Sequence, residues 1–314
     1  MGIVERWLIG APLFRVGGHG QQQRVNGVLR LSHVQESGSA RNNGMNRPST
    51  LARTTCGGPL TIDTVRQVTR CLVEACVDTV DSALAAARGG AGRLELCANL
   101  CDAGTTPSAG MIAAVKARVA IPVFVIIRPR GGGFVYSDRE FDVMRRDIDV
   151  ARQFGADGIV LGALGESGRV DVKRTLELVT AADDLPVTFH RAFDCTPDLG
   201  QALEALVVCG VRRVLTSGGA TTALEGIESL ATLVLRAAGR IHVMAGGGIR
   251  EKAVRDVVTR SGVGEIHVRG TKVVGVDRTA CRHIRLRSPL PTDESSWEET
   301  DEERIRAIVA LAEE

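Results

Sequence analysis

From residue 71 onward the chain repeats one pattern: a short apolar run followed by a longer amphipathic stretch, at intervals of about 25–30 residues. An apolar run of this length suits a strand covered on both faces. An amphipathic stretch suits a helix laid over it. The predicted strands are Cys71–Cys76, Arg93–Leu96, Val123–Ile127, Gly158–Leu161, Val187–His190, Arg213–Leu215, Ile241–Met244 and Glu265–Val268. Helices fit between them, among them Val80–Arg88, Ser137–Phe154, Val172–Ala182 and Leu199–Val208. Glycines in Gly-Ala-Asp-Gly (155–158) and Cys-Gly-Val-Arg (209–212) end a helix before the next strand. Eight such units predict an α/β fold, a single-domain (β/α)8 TIM barrel over 71–314. A doubly wound open sheet is the alternative, but no Gly-x-Gly-x-x-Gly turn follows the first strand.

The first 55 residues break the pattern. They are rich in Gly, Asn, Gln, Ser and Arg, and they lack the apolar surface that offsets chain entropy. They read as a disordered or leader-like extension, with organelle targeting as one reading of the Arg-rich, acid-poor composition. Residues 1–70 carry nine Arg against three acids, whereas the rest carries 30 basic against 34 acidic residues. The mildly acidic remainder argues against a nucleic-acid partner. No apolar run is long enough for a membrane span. Eight cysteines without a Cys-x-x-Cys pair read as reduced thiols in the cytoplasm. The C-terminal TDEERIRAIVALAEE reads as an amphipathic helix capped by Thr292 or Thr300, with Ile305, Ile308, Val309 and Leu311 on its packed face.

A charged side chain in a barrel strand cannot enter the apolar layer under the helices without a large desolvation penalty. It points to the barrel axis instead. Strand alternation then puts Glu74 with Cys76 on one face, and Glu95 with Cys97 on another. Strand ends bring Arg128, His190, Arg191, Asp194, Thr216, Ser217 and His267 to the C-terminal rim. Glu74 and Glu95 read equally as structural ion-pair partners or as acid–base groups. Cys71, Cys209 and Cys281 read as small buried hydrophobes. Asp157 lies at the opposite end and reads as a stabilising residue. The Gly246–Gly248 loop in the seventh unit reads either as a phosphate cradle or as a tight turn.

Several strings together resemble the copper homeostasis protein CutC family: LVEACVDTVDSALAAARGGAGRLELCANL, AGTTPSAG, IPVFVIIRPRGGGFVYSDRE, LPVTFHRAFD, VLTSGG and AGGGI. The resemblance covers about 71–314. It implies a (β/α)8 barrel, a copper(I) ligand held by Cys76 and Cys97, and a homo-oligomer. Copper(I) is soft and accepts two thiolates. Cys101 ranks as a third thiol. A second expectation is an enzyme acting on a phosphorylated or carboxylated small molecule. Arg128, Arg191, Ser217, Gly246, Gly247, Gly248 and His267 would then hold the anion, and Glu74, Glu95, His190 and Asp194 would serve as catalytic groups. The chain departs from the family pattern at Gly133, where an acid is common, and after His267, where Val-Arg-Gly replaces small hydroxyl-bearing residues. Arg269 would there replace lost anion donors by its charge.

Overall fold

The computed structural model describes residues 70–275 and 296–314. The expectations for residues 1–55, Cys281 and Thr292 lie outside the described residues. Eight parallel strands close into a barrel in sequence order: β1 Leu72–Val77, β2 Arg93–Leu96, β3 Val123–Ile126, β4 Gly158–Leu161, β5 Val187–Phe189, β6 Arg213–Thr216, β7 His242–Gly246 and β8 Glu265–Val268. Seven helices alternate with them: α1 Val80–Arg88, α2 Ala109–Lys116, α3 Asp138–Gln153, α4 Val172–Ala182, α5 Leu199–Val208, α6 Ile227–Ala237 and α7 Glu251–Ser261. Each expected strand is present, with ends shifted by no more than two residues. Hairpin strands β9 Thr271–Gly275 and β10 Ser296–Thr300 follow, and then helix α8 Glu302–Glu313.

Side-chain alternation sorts the barrel into two compartments. Val73, Ala75, Val77, Leu94, Leu96, Val123 and Val125 face the helical layer and join the main core. Cys76, Cys97, Phe124, Ile126 and Val160 form a separate cluster on the axis. The Phe124 ring fills the middle of that axis. Arg93 and Arg213 lie over it, with their guanidinium carbons 5.0 and 5.5 Å from the ring centroid. Gly158 leaves room for the ring, since a Cβ there would stand 2.5 Å from it.

Local chemistry fixes the helix starts. Ser137 and Glu140 make a capping box at α3, while Thr79, Ser108 and Asp198 cap α1, α2 and α5. Asp157 sits at the N-terminal end of the barrel. It accepts from Lys116 and from the Val123 amide. The cap of α8 differs from expectation. Asp301 accepts from the Glu303 and Arg304 amides, whereas Thr300 ends β10, buried, with its amide donating to Ser82 Oγ. A carboxylate accepts strongly from the first-turn amides, and pairing of β10 with β9 holds Thr300 in extended backbone. Ile305, Ile308 and Ala312 of α8 are buried, and the helix packs against α7, α1 and β1.

Gly158→Ala tests the axial packing. At an ordinary strand position, losing a glycine stabilises by about 0.5–1 kcal/mol through the unfolded chain. Overpacking against Phe124 costs about 1–3 kcal/mol and wins here. A lower urea midpoint at unchanged slope is expected; a raised midpoint would remove Phe124 from the axis.

Candidate metal and anion sites at the barrel mouth

Strand register assembles the first cluster. Cys76 stands opposite Glu95 across β1 and β2, and Glu74 stands opposite His267 across β1 and β8. The two thiols approach to 3.8 Å between sulfurs, although 21 residues separate them. Cys97 Sγ donates to Glu95 Oε2 at 3.4 Å. His267 lies between two carboxylates, with Nδ1 2.8 Å from Glu74 Oε1 and Nε2 3.7 Å from Glu95 Oε2. Ligand atoms of Cys76, Glu95 and His267 all fall within 4.8 Å of one another. Cys76, Cys97, Glu74 and Glu95 are buried. Cys101 stands apart on an exposed turn, where its thiol donates to Asn99 Oδ1 at 2.8 Å.

A chain of ions supports this cluster from below. Glu74 pairs with Arg93, Arg93 with Glu265 at 2.5 Å, and Glu265 with Arg213. All four are buried. Arg93, Arg213 and Glu265 escaped the sequence reading, which placed charged strand residues at the open end. They lie toward the strand starts, on the same parity as Glu95, Leu215 and His267. That parity was the signal available for them.

The charges follow from these contacts. Burial alone would raise the Glu74 carboxyl, but the His267 hydrogen bond and the Arg93 charge overcome it and hold the group down at about 2. His267 loses to burial and gains more from Glu95, Cys76 and Glu74, so its imidazole is held well above the ordinary value, as an imidazolium. The Cys97 hydrogen bond and the imidazolium push the Cys76 thiol well down against the cost of burial. Cys97 is pushed up by that same hydrogen bond and by burial. Burial and the Cys76 charge push the Glu95 carboxyl up. The negative charge of the cluster therefore concentrates on Cys76 and Glu74.

The other side of the mouth is built by the ends of β3, β4 and β5. Arg128 is buried, and its guanidinium donates to the carbonyls of Asp102, Gly104 and Gly132 at 2.7–2.8 Å. These bonds clasp the loop after β2 beside the loop after β3. His190 follows β5 and is 5% exposed. Its Nδ1 accepts from the Ala192 amide at 3.2 Å, and its ring lies 5.0 Å from that of Phe134. A Cβ at Gly162 would stand 2.5 Å from the imidazole, so the glycine makes room for it. Burial and the Arg128 charge hold His190 down at about 3, which leaves it neutral.

Asp194, Arg191, Ser217 and Gly247 meet at a third place. Asp194 accepts from Arg191 Nε at 2.8 Å, from the Ser217 and Gly219 amides, and from the Thr216 and Ser217 hydroxyls. Arg191 Nη2 donates to Ser217 Oγ at 2.8 Å. Gly247 has φ +110°, and a Cβ there would stand 3.2 Å from the Arg191 guanidinium. A Cβ at Gly246 would meet Leu215 at 2.4 Å and His267 at 3.1 Å, and one at Gly248 would meet Thr222 at 3.2 Å. The glycine turn is thus closely packed by side chains. Arg269 pairs with Glu298 of β10 at 2.9 Å.

The two imidazoles leave opposite marks on stability. The unfolded chain binds a proton at His190 below about pH 6.5, whereas the fold refuses it down to about pH 3. Stability therefore falls with acidification across that window, by up to about 1.4 kcal/mol per pH unit from this one group. His267 is protonated in both states below pH 6.5; its contribution is present there and declines as pH rises through its raised folded value. Between pH 6 and 5, denaturation of His190→Phe is expected to show a shallower pH slope than wild type. An unchanged slope would mean that His190 takes up its proton in the fold.

Among the described residues no helix is long and apolar enough to cross a membrane. A family model of the CutC family matches residues 71–272. The mouse copper homeostasis protein cutC homolog is 48% identical over 243 residues, spanning 77% of this chain and 89% of that protein. The human homolog is 46% identical over the same length and coverage. The crystal structure of the putative copper homeostasis protein CutC from Streptococcus agalactiae superposes with a TM-score of 0.60 at 35% identity, covering 63% of this chain and 97% of that one. A family match across most of the barrel, relatives near half identity and the shared fold lead to one conclusion: the chain belongs to the CutC family.

Proposed function

We propose that this chain acts in copper homeostasis by holding copper(I) between the Cys76 and Cys97 sulfurs. The observation that carries the reading is the 3.8 Å separation of two buried thiols. Thiolate–metal bonds run to about 2.3 Å, so two sulfurs on one ion stand at most about 4.6 Å apart. The pair meets that limit without a change in backbone. Thiolates suit a soft monovalent ion, and two of them are enough for it. The names of the mammalian relatives, copper homeostasis protein cutC homolog, point the same way.

The neighbouring groups add to the fit. Glu74 engages His267 Nδ1 and leaves Nε2 directed toward Glu95. A carboxylate behind a histidine is the usual arrangement for orienting a metal ligand. His267 and Glu95 are therefore available beside the thiols as further donors once their protons leave. Loading the ion releases the Cys97 proton, so affinity is expected to rise with pH.

A competitive copper(I) titration against a chelator tests the proposal. Cys76→Ser/Cys97→Ser should lose affinity by more than about a hundredfold, and Glu74→Gln by about 10–100-fold, as for outer-shell partners of metal ligands. Equal affinity of the double variant and wild type would remove the thiol pair.

A further inference from the structure

One arginine at the mouth has no counter-charge. Arg128 is 4% exposed, yet its guanidinium donates to backbone carbonyls and lies near the Phe134 ring and the Tyr136 hydroxyl, and no carboxylate pairs with it among the described residues. Its neighbours differ. Arg93, Arg130, Arg174, Arg191 and Arg213 each pair with an acid. Carbonyl dipoles solvate a cation but do not neutralise it.

Beside it stands a donor without an acceptor. His190 Nδ1 accepts from the Ala192 amide, so the ring hydrogen of the neutral imidazole is on Nε2. Nε2 is buried and has no partner, and Arg128 Nε is in the same condition. Native folds rarely leave such donors unmet without a functional reason. Both residues lie against Phe134, the imidazole at 5.0 Å and the Arg128 guanidinium carbon at 5.3 Å from the ring centroid. Gly162 leaves room for the imidazole, since a Cβ there would stand 2.5 Å from it. His190 follows Thr188 on the same strand parity, and Thr188 Oγ1 accepts from Arg213 on the barrel axis. The unmet donor therefore belongs to the inward side of the mouth.

We propose that Arg128 and His190 form a binding site for the oxyanion of a small organic molecule, a carboxylate or a phosphate. Arg128 supplies the charge and His190 Nε2–H the directional hydrogen bond. A water molecule would satisfy one donor but leave the arginine uncompensated; an oxyanion satisfies both. Arg191, Ser217 and the glycine turn are excluded from the core of this site, because Asp194 already neutralises Arg191 and orders Ser217. The inference rests on Arg128 and His190 and not on the copper reading, although Gly104, whose carbonyl accepts from Arg128, packs on Cys97.

The test uses the metal-free full-length protein with two probes, pyruvate and inorganic phosphate, each titrated to tens of millimolar. The readouts are calorimetry and the imidazole nitrogen and proton resonances of His190. One probe is expected to saturate and to shift Nε2–H, and whichever does so identifies the anion class. His190→Phe should weaken that probe about tenfold, the effect of one lost hydrogen bond to a charged group. The wild-type resonance shift stands without any variant. Absence of a saturable shift with both probes would overturn the proposal, as would undiminished binding to a folded His190→Phe protein.

Discussion

Four charged side chains sit buried inside a closed barrel, with little of their surface left to water. Glu74, Arg93, Glu265 and Arg213 neutralise one another in sequence along the axis. Such a chain is a weak source of net stability, since apolar residues of similar volume would serve as well. Breaking it is another matter: an unpaired charge left in the interior costs about 3–5 kcal/mol. Its consequence is directional. The His267 hydrogen bond and the Arg93 charge keep Glu74 ionised, Glu95, Cys76 and Glu74 keep His267 protonated, and the Cys97 hydrogen bond and His267 keep negative charge on Cys76. Arg93 joins the axial chain of charges to the cluster at the mouth.

The same desolvation argument explains what the sequence could and could not reveal. Strand alternation put Glu74 beside Cys76 and Glu95 beside Cys97, and the barrel keeps those faces. Parity does not report depth along the axis. Arg93, Arg213 and Glu265 share the parity of the site residues but lie nearer the strand starts, where they became visible only as partners of Glu74 and of one another. Loop chemistry was less legible still. Asp194 reads in the sequence as an acid at a strand end. In the fold its two oxygens are occupied by Arg191, Thr216, Ser217 and Gly219, which makes it the organiser of the loop after β6. No periodicity carries that information, because Thr216, Ser217 and Gly219 belong to a different unit of the repeat.

Departures from the family pattern resolve into local contacts. Gly133 carries no acid, although a Cβ there would meet nothing within 4 Å. Space does not dictate the glycine; its carbonyl accepts from Arg130, which pairs with Glu140 at the start of α3. Arg269, which sequence reasoning offered as an anion donor, pairs instead with Glu298 of the β9–β10 hairpin. The hairpin and α8 thus draw the end of the eighth unit toward the barrel exterior. Ile305 fills the space over Gly89 and Gly270, where any Cβ would stand within 2.7 Å of it.

The two halves of the mouth have opposite electrostatic characters, and each depends on the separation. On the β1, β2 and β8 side, thiols and carboxylates surround one imidazolium. On the β3 to β5 side, an uncompensated guanidinium stands with a neutral imidazole. An anionic group beside Arg128 would pair with it, as acids pair with its neighbours. A guanidinium beside Cys76 would favour the thiolate but repel a metal cation at the same point, because at low effective dielectric the Coulomb term at a few ångströms amounts to several kcal/mol. Cys76 and Cys97 pack with Phe124, Ile126 and Val160 in the small apolar cluster on the axis. The buried, low-dielectric interior strengthens each field locally, and burial of the charged groups limits their screening by salt.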